Sequence, residues 1–216
     1  EYGGAVGIRS NKPEQVAAIH AAVKLPIVGL HKIYYDTVGE VIMTPTIEHA
    51  KALYEAGAQI IALDSTQRLN QDGVPRCDLI KEIKREIPDA LIFADIDTYE
   101  NAEHAIELGA DIVATTCMGG TPESKALGYK RPDYAAVARL AKGLKDRAFV
   151  VMEGHIETPE DAIKAFYMGV DAIVVGSAIT RPHLVVKKFT DAINRYTTDW
   201  HKDEAIWFGD VTEKTE

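Results

Sequence analysis

The 216-residue chain holds only two cysteines, Cys77 and Cys117, in no metal-ligand or redox spacing. So few thiols give no disulfide framework to build on, and they fit a reducing cytoplasm. No uninterrupted apolar run approaches 18 residues, so no transmembrane helix is expected and no membrane partner with it. The opening Glu1-Tyr2-Gly3-Gly4 lacks the basic region of a secretory signal. Positive charge is scarce as well: 24 Lys and Arg stand against 33 Asp and Glu, a formal net charge of -9. That balance argues against nonspecific nucleic-acid binding and leaves room only for a local basic pocket. His31, His155 and His183 are not at metal-ligand spacing, so no metal site is expected. What remains, 46% hydrophobic and 26% charged residues, is ordinary globular composition.

Short β-branched runs alternate with longer amphipathic ones. Strands are expected near 5–9, 26–31, 59–64, 90–95, 111–116, 148–153 and 172–176, and helices near 12–23, 46–57, 76–87, 99–108, 132–145, 158–168 and 182–195. Strand-then-helix alternation implies parallel strands joined by crossover helices. The strands read almost solidly apolar, as in Gln59-Ile60-Ile61-Ala62-Leu63, which suits burial on both faces. An internal echo runs through Ala56-Gly57-Ala58-Gln59-Ile60, Leu108-Gly109-Ala110-Asp111-Ile112 and Met168-Gly169-Val170-Asp171-Ala172, with the glycine suited to a helix C-terminus each time. Together these predict an α/β fold, a (β/α)8 TIM barrel over residues 1–196, followed by a polar extension over 197–216, with a seven-stranded or open doubly wound sheet as the alternative. Seven strands are visible; the eighth, with its helix, is expected to precede residue 1, and residues 1–4 to be that helix's end.

Chemistry in a parallel barrel sits where the strands end. Reading the polar residue at each end collects Arg9, Lys32, Asp64, Asp95, Thr115 with Thr116, Glu153, and Gly176 with Ser177. Lys32 also reads as a solvated lysine, and Asp64 and Asp95 as turn or helix caps. Glu153 resists such a reading, because a carboxylate after four apolar residues is costly unless partnered. The glycines of Glu153-Gly154 and Val175-Gly176-Ser177 would let backbone N–H groups approach an anion closely, with a helix start behind the second.

In this order the motifs resemble the N-acylglucosamine-6-phosphate 2-epimerases, also called N-acetylmannosamine-6-phosphate 2-epimerases. The matching pieces are Gly3-Gly4-Ala5 with Ile8-Arg9, Leu25-Pro26-Ile27-Val28-Gly29 with Lys32, Thr44-Pro45-Thr46, Ile61-Ala62-Leu63-Asp64 and Ala94-Asp95-Ile96. Thr115-Thr116 with Gly120-Thr121-Pro122, Glu153-Gly154 with Thr158-Pro159, and Val175-Gly176-Ser177-Ala178-Ile179-Thr180-Arg181-Pro182 complete the set. The resemblance implies a TIM barrel that interconverts N-acetylmannosamine 6-phosphate and N-acetylglucosamine 6-phosphate without a cofactor, as a homodimer. It makes Lys32 and Glu153 the catalytic pair, Arg9, Asp95 and Arg181 substrate contacts, and Gly154, Gly176 and Ser177 the phosphate loop. The sequence departs from the family pattern in having no counterpart of a first-strand glutamine, in His155 where arginine is frequent, and in Gln67 where a basic residue is common.

Inversion at C2 removes a proton and returns it from the other side, next to the C1 aldehyde of the opened sugar. That chemistry needs a base, an acid on the opposite face and positive charge near the enolate oxygen. Lys32 fits the base if partial burial and a nearby Arg9 or Arg181 lower its proton affinity, and Glu153 fits the acid if burial keeps it protonated. A Schiff-base aldolase or a noncatalytic sugar-phosphate sensor on the same barrel would share several of these features.

Overall fold

The computed structural model describes residues 2–36 and 39–194. Its strands are β1 (Ile8–Asn11), β2 (Ile27–Leu30), β3 (Lys32–Tyr35), β4 (Glu40–Met43), β5 (Ile60–Asp64), β6 (Leu91–Asp95), β7 (Ile112–Ala114), β8 (Phe149–Glu153) and β9 (Ala172–Val174). Seven of them form one parallel sheet in the order β1-β2-β5-β6-β7-β8-β9, while β3 and β4 pair with each other as an antiparallel hairpin. The helices α1 (Pro13–Ala22), α2 (Ile47–Glu55), α3 (Leu79–Glu86), α4 (Tyr99–Leu108), α5 (Pro122–Ala126), α6 (Tyr134–Leu144) and α7 (Pro159–Tyr167) intervene. Strands consecutive in sequence, the hairpin aside, are neighbours in space, which is the sequential winding of a (β/α) barrel. The chain divides into two compact units, Glu1–Val175 and Gly176–Glu216. The second carries α8 (Ser177–Thr180) and α9 (Pro182–Asn194). The polar extension expected from residue 197 lies outside the described residues.

The sheet has two unlike faces. On one, Ile27, Ile61, Leu63, Ile92, Val113, Val150 and Met152 pack against helix residues such as Leu53, Ile80, Ile83, Ala105 and Leu140. On the other, Val28, Leu30, Ala62, Phe93, Ala114, Val151 and Val174 meet strand residues alone. A strand alternates its side chains, so apolar runs without alternation bury both faces at once. Helix starts follow local chemistry. Thr98 accepts from the Asn101 amide at the start of α4, and Thr158 and Asp161 form a reciprocal capping box at α7 behind Pro159.

Gly29 is needed for close approach. A Cβ there would lie 2.7 Å from the Ala58 Cβ and 3.3 Å from the Leu53 side chain, where β2 passes beneath the end of α2. Gly29→Ala is expected to destabilise the protein by about 1–3 kcal/mol, read as a lower urea midpoint at unchanged slope.

Three expectations are corrected. The first strand begins at Ile8 rather than residue 5, because Ile8 enters the ladder opposite Ile27 and its amide reaches the Pro26 carbonyl. Tyr2 and Gly3 form a turn, not the end of a helix, and Tyr2 is fully exposed. The segment expected as one helix over 76–87 opens with a single 3-10 turn, Arg76–Asp78, before α3. The hairpin β3–β4 was not anticipated.

Candidate active site

Alternation carries the inner-face pattern into the polar strand ends. Asp64, Asp95 and Glu153 each follow an inner residue (Ala62, Phe93, Val151) by two, and Arg9 is the register partner of inner Val28. A parallel sheet therefore aims one guanidinium and three carboxylates at the same mouth. Arg9 stands in the middle of β1, not at its end.

Arg9 organises the centre. Its Nη1 and Nη2 donate to the two carboxylate oxygens of Asp95 at 3.0 and 2.7 Å, a bidentate fork, and Nη1 lies 2.8 Å from Glu153 Oε2. The guanidinium rests 4.8 Å from the centre of the Phe93 ring. Burial opposes its charge, yet Asp95 and Glu153 outweigh that and hold its pKa above the ordinary value. Asp95 is fully buried and also accepts from Thr116 Oγ1. It is therefore an ion-pair partner and not a helix cap.

Glu153 is poised differently. Thr115 Oγ1 donates to its carbonyl at 3.0 Å and accepts from its amide at 3.1 Å, so its backbone is fixed. Its Oε2 is buried and touches Arg9 through charge only, without hydrogen-bond alignment. Burial pushes the carboxyl up to about 7; Arg9 pulls it down, Asp95 pushes it up, and the Lys32 ammonium pulls it down. That last influence brings Lys32 and Glu153 into one electrostatic environment.

Lys32 opens the hairpin rather than closing a strand, and it is exposed rather than partly buried. Its amide donates to Asn11 Oδ1 at 2.9 Å. Asp64 is a structural hub: it accepts from the Thr66 amide and hydroxyl, from Arg68 at 2.6 Å and from Arg76 at 2.8 Å. Gly154 adopts φ 96° with open space where a Cβ would be, and His155 follows at φ 58°. In the second unit, Gly176 precedes α8 and its carbonyl accepts from the Ile179 and Thr180 amides, while Ser177 and Arg181 are exposed.

A cavity of about 660 Å³ lined by Lys142, Phe149, Met168 and Asp171 opens at the other end of the sheet, where strands begin. In this architecture that end serves stability. Ligand atoms of Cys77, Asp78 and His104 come within 4.8 Å of one another, a cluster unseen in the sequence because it joins the 3-10 turn to α4. Burial raises the Cys77 thiol to about 11, outweighing the opposite pull of the Gln67 amide that donates to its sulfur, so it rests as a neutral thiol.

Residues 1–195 match the family model "NanE: Putative N-acetylmannosamine-6-phosphate epimerase". The chain belongs to the NanE family. Two relatives bearing the name "Putative N-acetylmannosamine-6-phosphate 2-epimerase" agree with that membership. The one from Caldanaerobacter subterraneus subsp. tengcongensis is 42% identical, across 89% of this chain and 79% of its own length. The one from Clostridioides difficile is 41% identical, across 88% and 82%. The solved N-acetylmannosamine-6-phosphate 2-epimerase from Clostridium perfringens superposes with a TM-score of 0.79 at 38% identity, covering 88% of this chain and 80% of that one. An inosine 5'-monophosphate dehydrogenase from Legionella pneumophila, at 20% identity and TM-score 0.53, shares the fold alone.

Within this NanE-family chain, the strand-end reading found Arg9, Asp95 and Glu153 together but missed Glu40, Arg68 and Arg76. A signal was available. Lys32-Ile33-Tyr34-Tyr35 and Glu40-Val41-Ile42-Met43 are two short β-forming runs flanking a turn that ends in Gly39, a hairpin pattern.

Proposed function

We propose that this chain interconverts N-acetylmannosamine 6-phosphate and N-acetylglucosamine 6-phosphate by moving one proton at C2 between Lys32 and Glu153. The observation that carries the proposal is the buried carboxyl of Glu153. It is raised to about 7 by burial, lies against Arg9 and falls within the electrostatic reach of Lys32. A carboxyl with that affinity can hold a proton near neutral pH and give it up again, as a C2 acid and base must.

In the opened sugar the C2 proton is acidified by the C1 aldehyde. The Lys32 amine takes it from one face, and the electron pair moves onto the aldehyde oxygen. Arg9 supplies positive charge at the inner mouth to stabilise that enolate. Glu153 then delivers its proton to the other face of C2, and ring closure completes the inversion. Asp95 holds the guanidinium in place through its bidentate pair. Arg9 and Asp95 are also read as substrate contacts, and Gly154 as a backbone contact to phosphate. In the second unit, Gly176, Ser177 and Arg181 keep the phosphate and substrate roles that motif order assigns. Phosphate binding, remote from C2, would hold the open chain in the reactive geometry. The same reading makes the enzyme a cytoplasmic homodimer; two free, buried thiols suit a reducing compartment.

A proton NMR time course of N-acetylmannosamine 6-phosphate in heavy water tests this. The expected result is a two-epimer mixture with deuterium at C2, formed at least ~10²-fold slower from the unphosphorylated sugar. A spectrum unchanged over hours at micromolar protein refutes it.

A further inference from the structure

We infer that Glu40 is a positioning residue that latches the Lys32-bearing hairpin onto the barrel mouth. This rests on the reading of Lys32 as the C2 base. Lys32 and Glu40 sit at opposite ends of the same hairpin: Lys32 pairs with Met43 at its root, and Glu40 pairs with Tyr35 near its tip. The root is tied down by Thr44. Its amide donates to the His31 carbonyl at 2.7 Å, and its hydroxyl donates to the Ala62 carbonyl at 2.6 Å. Thr44 takes φ 48°, unusual for a β-branched residue, which marks a sharp exit from the hairpin.

The tip end has a different anchor. Glu40 Oε1 lies 2.6 Å from Arg76 Nη2, and Oε2 lies 2.7 Å from Arg68 Nη1. Both arginines turn their other nitrogens to Asp64 Oδ2, at 2.8 and 2.6 Å. Two guanidinium groups thus bridge a fully buried barrel carboxylate to a half-exposed hairpin carboxylate, and the four charges cancel. Arg76 is itself 2% exposed, so the bridge is shielded from solvent on the barrel side.

Packing does little to replace it. Tyr34 and Val41 are 61% and 47% exposed, and among the described residues of the hairpin Ile42 alone is fully buried. A two-stranded hairpin with so little burial is marginal by itself. Thr44 and Asn11 fix the position of the root, and the charged bridge fixes the direction in which the strand carrying Lys32 leaves it, and so the aim of the Lys32 side chain. A catalytic amine displaced by about 1 Å can lose ~10²-fold in rate.

The test uses the full chain and C2 proton exchange in heavy water, followed separately from each epimer. Glu40→Gln is expected to lower kcat about tenfold with KM changed less than threefold, because the substrate contacts are elsewhere. Exchange through the Lys32 face should fall by that factor while exchange through the Glu153 face falls less than threefold. Glu40→Asp, too short to span both arginines, should fall between wild type and Glu40→Gln. Loss of equal size on both faces in either variant means a general structural role and overturns the latch. Wild-type kcat in Glu40→Gln overturns it as well. If Glu40→Gln does not fold, Glu40→Asp decides by the same face ratio. Lys32→Ala separates this from the underlying reading: its retaining activity would remove Lys32 as base, whereas an inactive Lys32→Ala with an unaffected Glu40→Gln removes only the latch.

Discussion

Replacing Glu153 by Gln is expected to lower epimerisation by ~10²–10⁴-fold, the range that one general acid–base group supplies. Gln matches the shape of the protonated carboxyl and can donate through its amide, but it cannot release a proton. Exchange should therefore survive in one epimer only, the one whose C2 proton faces Lys32, with deuterium entering and no inversion. Lys32→Ala should give the mirror result, with exchange confined to the other epimer. Deuterium entering both epimers of Glu153→Gln at the wild-type rate would remove the carboxyl from the mechanism.

The same substitution carries a pH signature. Burial raises the folded-state pKa of Glu153 to about 7, above its ordinary 4.5. The folded protein thus holds that proton over a window in which the unfolded chain releases it. Its contribution to stability is fully present below about 4.5 and is lost as pH rises through about 7. Glu153→Gln removes this slope. Relative to the wild type, the variant should be more stable at pH 8 than at pH 5, as thermal melts would record. In the wild type, turnover in the direction that uses Glu153 as acid should fall as pH rises through about 7, while the initial rate in the reverse direction gains.

The second large effect is expected at Arg9. Arg9→Met keeps much of the volume over Phe93 but leaves fully buried Asp95 and nearby Glu153 without their shared cation. Losing one partner of a buried pair costs about 3–5 kcal/mol. For a chain of this size that lowers the melting temperature by on the order of 10 °C. The loss must depend on pH. Without the guanidinium, the Glu153 carboxyl loses the charge that pulls it down and is left to burial and the Asp95 carboxylate, which both push it up, so the folded state binds a proton that the unfolded chain has released. Stability then falls as pH rises, and the melting deficit should be larger at pH 8 than at pH 6. An equal deficit at both values would mean that Arg9 acts through packing alone. Activity should be lost at either pH, because the enolate also loses its positive neighbour.

Much of this molecule was legible before any coordinate. Runs such as Ile60-Ile61-Ala62-Leu63 and Leu91-Ile92-Phe93-Ala94 cannot be amphipathic helices at that length, and they recur at crossover spacing. The helix over Tyr99–Leu108 was read with its true bounds, since Thr98 caps its start and Gly109, at φ 111°, ends it. Glu153 stood out for the cost of a carboxylate after an apolar strand, and it is the group whose proton affinity burial shifts to about 7. The hairpin was less legible because its strands are four residues each and partly exposed, so their periodicity is weak.

Local patterning by itself determined the strands, their parallel winding and the polar residues at their ends, because alternation and capping act between residues close in the chain. Which of those ends would share a guanidinium was decided only by tertiary structure. Arg9 and Asp95 are 86 positions apart, and Glu40 reaches Arg76 across 36. Such pairings depend on strand register and on exclusion of water from the mouth, and neither exists until the strands have assembled side by side.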